Sequence, residues 1–219
     1  MILNSYQVTE KPSRAVIGLH GWTGDEYSME PIAISVKAPS AKWVMPRAPY
    51  KADTGEGYTW FSGSDETGWK YDKTLEMMPE LITKVSSDGF ENRHIFFVGF
   101  SMGAGLSLLT AGRLPFQVGG VVAISGFIKN RELFTSKMTK QSLGTPILIL
   151  HGTHDKLVSP RKAEETVDFL KNLGYSVRYL TYDAGHKVPN EAMHIINSFI
   201  EDDEIEVKNV FPGEISSAV

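Results

Sequence analysis

The chain has 219 residues and no cysteine, which excludes disulfides, thiolate metal sites and every mechanism with a cysteine nucleophile. Its 42% hydrophobic and 22% charged residues suit a globular protein of one domain, and a net charge of -4 offers no basic surface to nucleic acid. No stretch reaches the roughly 18 to 20 uninterrupted apolar residues that cross a bilayer, and residues 1–10 lack a basic start followed by an apolar run, so the expectation is a cytoplasmic protein without stable membrane insertion.

The first buried-strand signal is the apolar run at residues 15–19, followed by Leu19-His20-Gly21-Trp22-Thr23-Gly24-Asp25. Residues 46–73 form the longest irregular stretch, rich in Gly, Asp, Tyr and Trp, and a loop of that length is more often functional than idle. Leu75, Met78, Leu81, Ile82 and Val85 share one helical face. A strand at 95–100 then runs directly into a helical stretch at 104–113, and further strands are expected at 118–124 and 147–150.

Ala163, Val167, Leu170 and Leu173 line a second helical face with punctuation at both ends. Ser159 is expected as its cap, Pro160 occupies a first position where a missing N–H costs nothing, and Gly174 provides a left-handed stop. A more alternating strand at 177–182 belongs nearer a sheet edge, and a last helix is expected over 190–200. Strands alternating with helices give an α/β fold with a mainly parallel sheet flanked by helices and no large lid domain. Its ligands bind at the carboxyl ends of the strands. Residues 1–200 are expected to form this one domain, and residues 201–219 an acidic extension that turns small and polar.

The strongest chemical signal is Gly99-Phe100-Ser101-Met102-Gly103 between a buried strand and a helix. This is the G-x-S-x-G nucleophile elbow of the α/β-hydrolase fold, in which a sharp turn needs glycine on both sides and leaves the serine hydroxyl exposed. A serine near pH 7 is a weak nucleophile, so a base must take its proton and an acid must hold that base. In this fold the acid and then the histidine follow the serine on later loops. Asp155, after the strand at 147–150, and His186, after the strand at 177–182, stand in that order.

Other histidines and aspartates fit these two roles less well. His151 and His154 precede the acid and read as hydrogen-bonded structural residues, while His194 falls inside the final helix. Asp183 is only three residues from His186, and Asp168 sits mid-helix. The backbone N–H groups of Met102, next to the nucleophile, and Trp22, in the loop after the first buried strand, are the expected oxyanion donors. Tyr58, Trp60 and Phe61 are expected to line an acyl pocket, in a segment that also carries Trp69. Four histidines lie near strand ends, but no H-x-x-x-H or H-E-x-x-H pair supports a metal, and no phosphate-binding glycine loop opens a helix.

These residues resemble the small carboxylesterase and phospholipase group of α/β-hydrolases that includes the acyl-protein thioesterases. The resemblance rests on Leu19-His20-Gly21, Pro46-Arg47-Ala48-Pro49, Gly57-Tyr58-Thr59-Trp60-Phe61, Gly99 to Gly103, Gly152 to Val158 and Gly185-His186. It implies a compact, cofactor-free serine hydrolase acting on small-molecule carboxylic esters or thioesters with short to medium acyl chains. That group usually has Gln after the serine where this chain has Met102, and Trp22 is bulky for its loop. These departures favour simple ester hydrolysis. A peptidase or amidase on the same fold and a non-catalytic binding protein are the rival readings. Oligomeric state is left open, a homodimer included.

Overall fold

The computed structural model describes residues 1–202. In chain order it contains β1 (Leu3–Gln7), β2 (Arg14–Leu19), α1 (Glu30–Val36), β3 (Ala41–Pro46), β4 (Tyr50–Lys51), β5 (Tyr58–Thr59), β6 (Ser62–Ser64) and β7 (Gly68–Lys70). These are followed by α2 (Asp72–Ser87), β8 (Ile95–Phe100), α3 (Met102–Arg113), β9 (Gly120–Ile124), α4 (Arg131–Thr135), β10 (Ile147–Gly152), α5 (Pro160–Asn172), β11 (Val177–Tyr182) and α6 (Asn190–Glu201).

Seven strands form one sheet in the order β1-β3-β2-β8-β9-β10-β11. Every pair is parallel except β1 with β3. The α/β class with a mainly parallel sheet is therefore the observed fold, and β11 takes the edge that its alternation implied. The strands β2, β8, β9 and β10 are apolar on both sides because both faces are covered. Ile17, Phe97, Val121 and Ile149 point to the layer of α2, α3 and α5, with Leu81, Leu106 and Leu170. Their neighbours Val16, Phe96, Val122 and Leu148 point to the layer of α1 and α6, with Ala33 and Ile196. The period-two alternation of side chains thus sorts one continuous apolar run into two cores.

Some elements differ from expectation. The stretch 46–73 is not wholly irregular: β4 with β5 and β6 with β7 make two small antiparallel pairs. Residues 3–7 and 41–46 also join the main sheet: β1 is the half-exposed edge strand with one face to bury, whereas β3 lies between β1 and β2 and is almost wholly buried. Ser159 does stand at the N-cap of α5, but its side chain makes no cap hydrogen bond; Pro160 opens the helix, and Gly174 follows it at φ +97°. Arg14 donates to the carbonyls of Ile200 and Glu201, so the end of α6 is tied to β2 by a cation at a helix C-terminus. The expected extension at 201–219 lies outside the described residues from 203 onward. Among the described residues no helix is long and apolar enough to cross a membrane.

Phe97 is fully buried in the central strand β8. Phe97→Ala is expected to cost about 3–5 kcal/mol of unfolding free energy, read from the midpoint of a urea titration.

Candidate active site

Ser101 stands at the junction of β8 and α3 with φ 55° and ψ -114°, a conformation that a residue with a side chain rarely adopts. The turn is tight because β8 and α3 approach closely on both sides of it. A β-carbon on Gly99 would collide with the carbonyl of Gly103, and one on Gly103 with the carbonyl of Leu19. The fixed glycines of the five-residue pattern are therefore packing requirements, and they leave the serine side chain projecting above the carboxyl edge of the sheet.

The structure brings three of the expected residues into one chain of hydrogen bonds. His186 Nε2 lies 3.0 Å from Ser101 Oγ, and His186 Nδ1 lies 2.7 Å from Asp155 Oδ2. An ionised carboxylate only accepts, so the Nδ1–H donates to Asp155 and Nε2 is left to accept the serine proton. The other oxygen, Oδ1, accepts the backbone N–H groups of Leu157 and Val158, each at 2.9 Å. Burial alone would push the Asp155 pKa up; the hydrogen bonds from Val158, His186 and Leu157 outweigh it and hold the carboxyl below the ordinary value.

Acid and histidine meet because β10 and β11 end side by side. A β-carbon on Gly152 would collide with the carbonyl of Ala184 and reach 2.5 Å from that of Gly185, so glycine there lets the histidine loop close on the acid loop. The N–H of His154 donates to Ala184 at 3.0 Å and that of Thr153 to Tyr182 at 2.9 Å, stitching the two loops together.

The competing side chains are engaged elsewhere. His151 is fully buried and donates from Nε2 to the carbonyl of Val158 at 2.9 Å. The same nitrogen is 3.4 Å from Asp155 Oδ2, which places the ring behind the acid and away from the serine. His154 pairs with exposed Asp183 at 2.8 Å. His194 lies on α6 and Asp168 on α5, as their spacing implied.

The two expected donors flank the serine: Met102 N–H opens α3, and Trp22 N–H lies in the loop after β2. Within the described residues neither N–H is hydrogen-bonded inside the protein. The loop carrying Trp22 is held by several contacts that local sequence did not announce. His20 donates from Nδ1 to the carbonyl of Gly21 at 2.7 Å and accepts at Nε2 the N–H of Ala48 at 3.2 Å. Trp60 donates its indole N–H to the carbonyl of His20 at 2.8 Å, Tyr58 pairs its backbone with Gly24, and Arg47 forks onto buried Glu26. Arg47, by its hydrogen bonds, holds the Glu26 carboxyl below its ordinary pKa.

This arrangement corrects two expected pocket residues. Trp60 is fully buried and tilted against the His20 ring at 4.8 Å, so it braces the loop under the site and does not line a pocket. Tyr58 lies beneath the Arg47 and Lys51 cations, whose side chains both reach its hydroxyl, and is likewise off the cavity wall. Phe61 alone of the three lines the cavity, which measures about 890 Å³ and opens on Ser101. Met102, Leu109, Phe127, Ile128, Leu133 and Val158 supply further apolar wall. Phe127, Ile128 and Val158 come from the loops after β9 and β10, where position at a strand end was the only available signal, while Met102 and Leu109 lie on α3 and Leu133 on α4. The Met102 sulfur sits 3.2 Å from the Thr59 hydroxyl, which fixes its side chain on that wall.

Comparison with known proteins gives the family and the fold. The family model described as Phospholipase/Carboxylesterase matches residues 6–203. Acyl-protein thioesterase 1 of Debaryomyces hansenii is 32% identical over 216 residues, covering 89% of this chain and 93% of its own. The crystal structure of SOBER1 from Arabidopsis thaliana superposes with a TM-score of 0.75 at 25% identity, over 85% of this chain and 97% of that one. Acyl-protein thioesterase 2 of Zea mays shares the fold, with a TM-score of 0.75 at 20% identity over 91% and 97% of the two chains.

Burial holds the His20 pKa below its ordinary value, because a protonated ring would be desolvated and could no longer accept from Ala48. The unfolded chain takes up a proton first, at about pH 6.5, so stability present above that pH declines as pH falls toward the folded-state value. Unfolding titrations of wild type and His20→Gln between about pH 7.5 and 5 are expected to show a shallower acid slope in the variant. Trp60→Phe leaves the buried His20 carbonyl unpaired. A loss of about 1–3 kcal/mol in urea unfolding is expected, with no reordering of ester chain-length preference.

Proposed function

Because the chain belongs to the phospholipase/carboxylesterase family of α/β-hydrolases, we propose that it is a serine carboxylesterase that hydrolyses short to medium acyl esters through an acyl-enzyme on Ser101. The observation that carries this reading is the hydrogen-bonded series Ser101–His186–Asp155 at 3.0 and 2.7 Å on the wall of an apolar cavity.

In the first half-reaction Ser101 Oγ attacks the ester carbonyl carbon while its proton passes to His186 Nε2. The carbonyl oxygen becomes an oxyanion that accepts from the N–H groups of Met102 and Trp22. Collapse breaks the ester C–O bond, and the proton on Nε2 goes to the departing alkoxide. In the second half water repeats the attack on the acyl-serine, losing its proton to His186, and Ser101 leaves with that proton as the acid is released. Asp155 remains ionised throughout, orienting the ring and stabilising the imidazolium that each attack creates. The first turn of α3 adds its positive dipole end beside the oxyanion.

The cavity volume falls within the range of small-molecule sites, and its apolar wall suits an acyl chain. The similarity to an acyl-protein thioesterase extends the reading to thioesters, which the same two half-reactions cleave. The chemistry requires no cofactor. We read residues 1–200 as the catalytic domain, closed by α6, acting in the cytoplasm on small-molecule esters.

Hydrolysis of p-nitrophenyl esters of rising acyl length tests the proposal. Ser101→Ala is expected to abolish turnover, and Asp155→Asn to lower kcat by roughly 10⁴-fold by leaving the ring in the wrong tautomer. Turnover retained by Ser101→Ala would overturn the assignment.

A further inference from the structure

The cavity wall is not electrically even. Besides its apolar residues it carries three cations, Lys129, Arg131 and Lys162, against two carboxylates, Asp65 and Glu165. Both carboxylates are already engaged. Asp65 lies 2.9 Å from Lys129 Nζ and accepts the indole N–H of Trp69 at 2.7 Å, which together hold its pKa below the ordinary value. Glu165 pairs with Arg161 at 3.1 Å. That leaves Arg131 and Lys162 without a carboxylate partner among the described residues.

These two side chains are held by aromatic rings. The Arg131 guanidinium lies 5.1 Å from the centre of the Phe169 ring and donates to the backbone carbonyl of Glu165 at 3.2 Å. Lys162 Nζ lies 4.6 Å from the centre of the Phe127 ring. A ring and a carbonyl position a cation without cancelling its charge, whereas a carboxylate cancels it. A protein with a net charge of -4 therefore presents two uncompensated positive charges on the wall of the cavity that holds Ser101. Arg131 opens α4 and reaches α5 at the Glu165 carbonyl and the Phe169 ring, and Lys162 lies in the first turn of α5, so both cations belong to the α4 and α5 part of the wall.

We infer that the substrate is an anionic ester, one that carries a carboxylate or a similar anion separated by an apolar spacer from the carbonyl that Ser101 attacks. The spacer lies against Met102, Leu109 and Leu133, and the anion is held by Arg131 and Lys162. This rests on the serine-esterase reading and adds the charge class of its substrate. An excess of cations on a concave wall concentrates anionic ligands, so the preference appears in kcat/KM and weakens with ionic strength.

The test compares p-nitrophenyl monoesters of adipate and suberate with the same esters capped as methyl esters, which puts the anion on the acyl side. A second arm compares 4-acetoxybenzoate with its methyl ester, which puts it on the alcohol side. In at least one arm the anionic ester is expected to exceed its neutral partner by about tenfold in kcat/KM at low salt. That ratio is expected to fall about threefold in Lys162→Gln and in Arg131→Gln, and to approach one in the double variant or at about 0.5 M NaCl. Binding of suberate to Ser101→Ala, measured by calorimetry, should weaken likewise when both cations are replaced. Neutral esters equal to or better than anionic ones in both arms, or a preference unmoved by salt and by both substitutions, would overturn the inference. Suberate binding that depends on Arg131 and Lys162, found without turnover of any ester, would support the anion site while sinking the esterase reading.

Discussion

The site depends on one constrained turn, the reversal of the chain at Ser101 between β8 and α3 with φ at 55°. Such a backbone costs on the order of 1–3 kcal/mol and persists only where packing over-determines it. Here the packing is close contact of the turn with itself and with the end of β2, through Gly99 and Gly103. The same closeness lifts the serine hydroxyl out of the sheet edge and starts α3 at the next residue, Met102.

Each remaining part of the site is referred to that turn by a different physical device. The acid is fixed by its own backbone, since Asp155 accepts the N–H groups two and three residues ahead of it. The histidine is fixed by loop contact, through a glycine that lets residues 184–185 lie against the end of β10. The loop carrying Trp22 is fixed from below, where the neutral His20 ring bridges Gly21 and Ala48, and Trp60 takes the His20 carbonyl. These contacts explain why Arg47, Ala48, Tyr58 and Trp60 accompany the chemistry although none touches the cavity. They fix the backbone of the loop that carries Trp22.

The cavity joins this machinery to a surface of mixed character. Its floor is apolar, while its α4 and α5 side carries Arg131 and Lys162 seated on aromatic rings. An apolar wall accepts many apolar groups alike, whereas charges placed around it discriminate among ligands. The hairpin of β6 and β7 contributes Asp65 and Trp69 to the wall, where Asp65 neutralises Lys129.

By itself the sequence determined the parallel sheet, because strands covered on both faces must be apolar throughout and such runs stand out at 15–19, 95–100 and 147–150. It also placed the candidate serine, aspartate and histidine in the chain order expected of this fold, because each follows a strand and the carboxyl ends of parallel strands lie along one edge of the sheet. What it did not hold was the division of the aromatic segment 58–61, in which Phe61 faces the cavity while Trp60 and Tyr58 face the loop beneath it. Trp60 and Phe61 lie in a bend after β5, where no regular alternation sorts neighbouring side chains, and which of them meets the cavity depends on where residues 20–26 and 127–133 fold. The charge of the cavity wall was hidden for the same reason, since whether a lysine or arginine is cancelled depends on carboxylates brought near it only by the tertiary fold.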